Sequence, residues 1–127
     1  MQYDDLIWAQ NVVERWAIRQ AVPAPKVTTI LTSIKELLSG YGDNTIVINE
    51  NAWDKEKMDG KVLLLAKPFS YYIKYAFDPE TNDEKAHKLA LELALYELEL
   101  WSDATGVELM RLMSIKSVSK LRSLLDT

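Results

Sequence analysis

The chain begins with an apolar arc. In "YDDLIWAQNVVERWAIRQAV", Leu6, Ala9, Val13, Trp16 and Ala17 fall on one side of a helical wheel. Asp4 and Asp5 stand near the positive end of the dipole that such a helix would have, so a helix is predicted over about 3–21. Pro23 and Pro25 end it by removing backbone donors, and Pro25 can occupy the first turn of a following helix. Val27, Ile30, Leu31, Ile34, Leu37 and Leu38 then repeat the three-four spacing up to Gly40, a residue suited to a left-handed helix end. That spacing predicts a second helix, paired with the first as a hairpin.

After "GYGDN" the period shortens to two. "TIVIN" is β-branched and reads as a strand. A polar stretch around Trp53 has room for a helical turn, and Asp59-Gly60 marks a turn before "KVLLLAK", which reads as an inner strand. Past Pro68, "FSYYIKYAF" alternates strictly, with Phe69, Tyr71, Ile73, Tyr75 and Phe77 on one side. The packing needs of a strand favour that side as core, leaving Ser70, Tyr72, Lys74 and Ala76 outside. A small, mainly antiparallel three-stranded sheet follows, with one long kinked strand as the competing arrangement.

"DPETND" is a turn offering Asn82 or Asp83 as a cap for the strongest helix pattern in the chain, "EKAHKLALELALYELELW". Lys85, Lys88, Glu92 and Glu99 form one charged stripe, and nearly everything else on the wheel is Ala, Leu, Tyr or Trp. A buried central helix, packed between the sheet and other helices, is expected. Glu97 lies inside the apolar arc, so it should have a specific partner, such as a Trp or Tyr donor. The tail reads as two short helices, 107–113 and 117–125, separated by Ser114 and Ile115. The expected fold is α+β, one domain over 1–127: two N-terminal helices, the sheet, the central helix and two short C-terminal helices.

Composition narrows the chemistry. A chain of 127 residues with 48% apolar and 27% charged side chains can bury one core but not two. The absence of cysteine excludes disulfides, thiolate metal sites and cysteine nucleophiles. The aspartates at the start do not fit a signal peptide, and no apolar run reaches the roughly 18 residues of a membrane span, so a cytoplasmic protein is expected.

His87 is the sole histidine, which removes paired-histidine metal sites and leaves a catalytic triad to be built around a residue inside a helix. Asp78, Glu80 and Asn82 mimic the start of a calcium loop, but Asp83 replaces its glycine and Leu89 its final glutamate. Gly40 and Gly42 lack the third glycine of a dinucleotide fingerprint and precede a strand. No catalytic residue, metal ligand or cofactor site is therefore assigned, and a non-enzyme is expected.

Charge is segregated. Residues 78–108 carry nine acids, Asp78, Glu80, Asp83, Glu84, Glu92, Glu97, Glu99, Asp103 and Glu108, against Lys85 and Lys88. Arg111, Lys116, Lys120 and Arg122 follow with no acid among them. The first expectation is a small regulatory, inhibitor or immunity-type protein that engages a protein partner, or a second copy of itself, through Asp78, Glu80, Asp83, Glu84, Glu92 and Glu99. The alternative is a nucleic-acid-binding regulator of phage or mobile-element type. "VELMRLMSIKSVSKLRSLL" resembles a helix-turn-helix, although it has no glycine in the turn, and it implies contacts through Lys116, Lys120 and Arg122. Lys61, Lys67 and Lys74 with Tyr71, Tyr72 and Tyr75 would supply a basic and aromatic surface for a single strand, and of these the strand pattern leaves Tyr72 and Lys74 outside.

Overall fold

A computed structural model describes the backbone of residues 1–34, 37–103 and 108–125, and their side chains except at 103 and 108–114. Among these residues the order is α1 (Tyr3–Gln20), β1 (Lys26–Ile30), β2 (Ser39–Gly42), β3 (Thr45–Asn49), α2 (Glu50–Lys55), α3 (Met58–Phe77), α4 (Asp83–Asp103) and α5 (Glu108–Leu125). The fold is α+β. Five helices accompany one three-stranded sheet.

α1 forms where its periodicity places it. The Gln2 backbone donates to Asp5 Oδ2 at 3.2 Å, and Ala21, at φ 56°, ends the helix in the left-handed region. Its buried face is Ala9, Val12, Val13, Trp16 and Ala17.

The predicted second helix is instead β1 and β2, so there is no N-terminal helical hairpin; Lys35 and Glu36, inside that prediction, lie outside the described residues. Val27, Thr28, Thr29 and Ile30 are four β-branched residues in a row, stiff at χ1 and better accommodated on a pleated surface. β1 runs parallel to β3, pairing Lys26 with Thr45 through Ile30 with Asn49. β2 runs antiparallel to β3, pairing Ser39 with Ile48 through Gly42 with Thr45. The order β1-β3-β2 is thus a mixed sheet, not a mainly antiparallel one; "TIVIN" is a strand as expected, and it holds the inner place that "KVLLLAK" was expected to take. Asp43 and Asn44, at φ 51° and 58°, make the two-residue hairpin turn that this twist favours.

The largest correction concerns 58–77. "KVLLLAK" and "FSYYIKYAF" are not strands but one helix, α3, with Pro68 inside it. Positions i and i+4 are common to a period of two and a period of 3.6, so Phe69, Ile73 and Phe77 align on either template. Val62, Leu65, Ala66, Phe69 and Tyr72 are buried, a helical spacing. α3 packs against the sheet on one side and against α4 and α5 on the other, taking the central place expected of α4.

α4 and its cap agree with the sequence. Asn82 Oδ1 accepts the Lys85 N–H at 2.9 Å, and Ala86, Ala90, Leu91, Leu93, Ala94 and Leu98 are buried. From Glu108 on, the tail is one helix rather than two: α5 passes through Ser114 and Ile115 without a turn, so among the described residues of this segment there is no helix-turn-helix; Val107, where the first of the two was expected to start, lies outside them. One cluster of buried residues joins α1, β1, β3, α2, α3, α4 and α5, with Trp16 meeting Phe69 edge-on at 5.6 Å. Among the described residues no helix is long and apolar enough to cross a membrane.

Candidate functional surface

The acidic residues singled out in the sequence divide into paired and exposed ones. Asp78 accepts the Thr81 hydroxyl in the α3–α4 turn, and Asp83 Oδ1 lies 2.6 Å from Lys74 Nζ. Glu99 is bound to Arg122, and Glu97 faces inward. Glu80, Glu84 and Glu92 remain exposed. Asp78, Asp83 and Glu99 therefore serve the turn, the helix start and the seam to α5. The side chains of Asp103, Glu108 and Arg111 lie outside those described.

The buried Glu97 has the partner its position demands. Arg15 Nε donates to Glu97 Oε2 at 3.3 Å, a second guanidinium nitrogen donates to Oε1, and Trp101 Nε1 donates to Oε1 at 3.2 Å. The tryptophan donor was legible from the apolar arc. Arg15 was not, because it lies 82 residues away.

The basic residues fare differently. Lys120 Nζ bonds Asp59 Oδ2 at 2.7 Å. Burial pushes the Asp59 carboxyl up, but the Lys120 ammonium and two backbone N–H groups outweigh it and hold the group below its ordinary value. The same hydrogen bond raises Lys120. This pair sits where two adjoining hollows of about 400 and 390 Å³ meet, between the start of α3, β2 and α5. Lys57, Lys67, Lys116 and Lys120 line them against two carboxylates, Glu56 and Asp59. Lys57, Lys67 and Lys116 are exposed and form no ion pair among the described residues.

Tyr72 does not face outward as the alternation predicted. It is 2% exposed, its hydroxyl donates to the Pro23 carbonyl, and its ring packs on Tyr41, Phe69 and Phe77. Burial raises its phenol. The helical register presents Tyr71 and Tyr75 instead, with ring centroids 5.9 Å apart and planes 16° from parallel. Lys74 lies against both rings, 6.0 and 5.4 Å from their centroids, and its bond to Asp83 raises it. Tyr71 also lines the hollow with Lys67 and Lys120. Lys67, Tyr71, Lys74 and Tyr75 thus continue the lysine groove along one face of α3.

His87 is exposed, and among the described residues no three His, Cys, Asp or Glu side chains converge to hold a metal ion. Two patches fall outside the sequence-predicted sites. Leu31, Ile34, Leu37 and Leu38, expected to be core in a helix, are exposed in the β1–β2 connection. Trp8 and Trp53 meet at 5.9 Å beside a hollow rimmed by Asp4, Asp5, Lys57 and Lys61. Set against known proteins, the chain matches no family model, no curated protein and no solved structure.

Proposed function

We propose that this chain is a non-enzymatic macromolecule-binding protein whose contact face is the lysine groove between α3 and α5, and whose partner is a nucleic acid. The observation that carries the reading is the continuity of Lys57, Lys116, Lys120 and Lys67 with the Tyr71–Tyr75 pair. A cationic groove tracks a phosphate backbone, and exposed aromatic faces accept bases. The net charge of −4 does not oppose this, because local charge governs such contacts and Lys57, Lys67 and Lys116 are free of carboxylate partners among the described residues. Of the basic residues expected at this face Lys116 carries the reading, whereas Lys120 is held by Asp59, Arg122 by Glu99 and Lys74 by Asp83.

Anisotropy of labelled oligonucleotides titrated with the protein across a salt series tests this. Binding that weakens steeply with salt supports the reading, and no binding at low salt overturns it.

A second reading is a regulatory or inhibitor protein that engages a basic protein partner. It is favoured by the exposure of Glu80, Glu84 and Glu92, none of them in an ion pair among the described residues. Charge reversal at Glu84 and Glu92 would abolish such a complex and leave nucleic-acid binding intact.

A further inference from the structure

We infer, building on the nucleic-acid reading, that the strand taken by this face is single-stranded, with an unpaired base stacked on Tyr75 and its phosphates along Lys67, Lys116 and Lys57. Three observations lead there.

Tyr75 is 63% exposed, yet its orientation is set. Tyr71 backs it in a near-parallel stack, and Lys74, anchored 2.6 Å from Asp83, lies against both rings. A platform fixed before the partner arrives loses little side-chain freedom on binding. A duplex buries its base faces in its own stack except at its ends. An exposed ring face therefore recognises unpaired bases.

The α3 dipole sorts phosphate from base. Its positive end lies beside Lys57 and Asp59, and its negative end lies at Phe77, next to Tyr75. Phosphates are favoured at the lysine end, and at the tyrosine end the charge of Lys74 is already met by Asp83. A neutral base is the moiety suited to Tyr75. From Lys57 to Tyr75 the helix rises about 27 Å, which matches a short footprint of about four to six nucleotides.

Among its described side chains, α5 is poorly equipped to read a duplex groove. Lys120 is tied to Asp59 and Arg122 to Glu99, which leaves Lys116 as the one basic side chain without an ion pair among the described residues of that helix. Readout of a major groove needs several free side chains on one helical face.

The test compares a fluorescein-labelled oligo-dT of about twelve nucleotides with a duplex of the same length, at one low salt concentration, against the full chain. Wild type, Tyr75→Ala, Tyr75→Trp and Lys116→Glu are titrated, with circular dichroism and a melting midpoint recorded for each. The single strand is expected to bind at least about tenfold more tightly than the duplex. Tyr75→Ala should weaken it about 5- to 150-fold, with the melting midpoint unchanged, and Tyr75→Trp should retain it. If duplex binds equally well and Tyr75→Ala changes nothing, while Lys116→Glu still weakens both, the single-strand inference is overturned and the nucleic-acid reading stands. If neither oligonucleotide binds, both fall.

Discussion

Lys120 Nζ lies 2.7 Å from Asp59 Oδ2 and ties α5 to the first turn of α3 across 61 residues of sequence. The two partners are unequal: Asp59 is buried, whereas the Lys120 side chain is 66% exposed. Removing the lysine takes from a buried carboxylate its side-chain donor and leaves it two backbone N–H groups, while removing the acid leaves an ammonium that water already solvates. Lys120→Ala should therefore destabilise the fold more than Asp59→Asn does. Urea unfolding monitored by tryptophan fluorescence measures both, and a larger cost for Asp59→Asn would refute the asymmetry.

The same pair imposes a pH dependence. Asp59 titrates lower in the folded chain than in the unfolded one, so its contribution is complete above about pH 4 and is lost as pH falls through the depressed native value. Lys120 titrates higher when folded, so its share is complete below about pH 10.4 and is lost as pH rises through the native value. The difference in melting midpoint between wild type and the Asp59→Asn, Lys120→Ala double variant should be level between about pH 5 and 9 and shrink in acid. A difference that held unchanged to pH 2 would exclude Asp59 as its source.

Arg15 and Glu97 make a harsher case, because Glu97 is fully buried and Arg15 supplies two of its three side-chain donors. Arg15→Ala leaves a buried carboxylate with Trp101 alone and should cost about 3–5 kcal/mol. Combining Arg15→Met with Glu97→Leu removes both charges and should recover most of that loss. Chemical denaturation of the two variants decides it. A double variant no more stable than Arg15→Ala would mean that packing around Arg15, not its charge, carries the energy.

These examples also mark what the sequence could reveal. α1, β3, α4 and the Asn82 cap are written in local spacing, and local spacing is enough where the partner surface lies within the same element. β1 depends on β3, nineteen positions further on in register, so its helical spacing competed with a β-branched run whose pairing partner was not visible. α3 was obscured by Pro68, a residue that costs a helix a hydrogen bond yet is buried here on a helix packed from both sides. For the candidate site, Lys116 and Lys120 were legible as a basic run, and Lys67 as part of a basic and aromatic segment. Asp59 and Lys57 were not, since only the tertiary fold brings the start of α3 against α5.

Tyr72 and Tyr75 should separate structural from contact roles on one helix. Tyr72→Phe deletes the hydroxyl that donates to Pro23 and is expected to cost about 1 kcal/mol of stability with no change in oligonucleotide affinity. Tyr72→Ala, which empties a core site shared with Tyr41, Phe69 and Phe77, should cost about 3–5 kcal/mol. Parallel unfolding and anisotropy measurements give both quantities. Loss of affinity in a Tyr72→Phe variant that melts normally would move the contact surface to the sheet side of α3.

The salt dependence of binding counts the lysines in use. Each phosphate neutralised on a single strand contributes about 0.7 to the slope of log K against log salt, so engagement of Lys57, Lys67 and Lys116 gives about −2. Lys67→Ala with Lys116→Ala should bring the slope to about −0.7. Stability should change by less than about 0.5 kcal/mol per site, because neither lysine forms an ion pair among the described residues. Lys120 stands outside this count, since it is paired with Asp59. If the slope were unchanged by the double substitution while affinity fell, the lysines would act on the shape of the groove rather than on phosphate, and the path of the strand would have to be drawn elsewhere on the molecule.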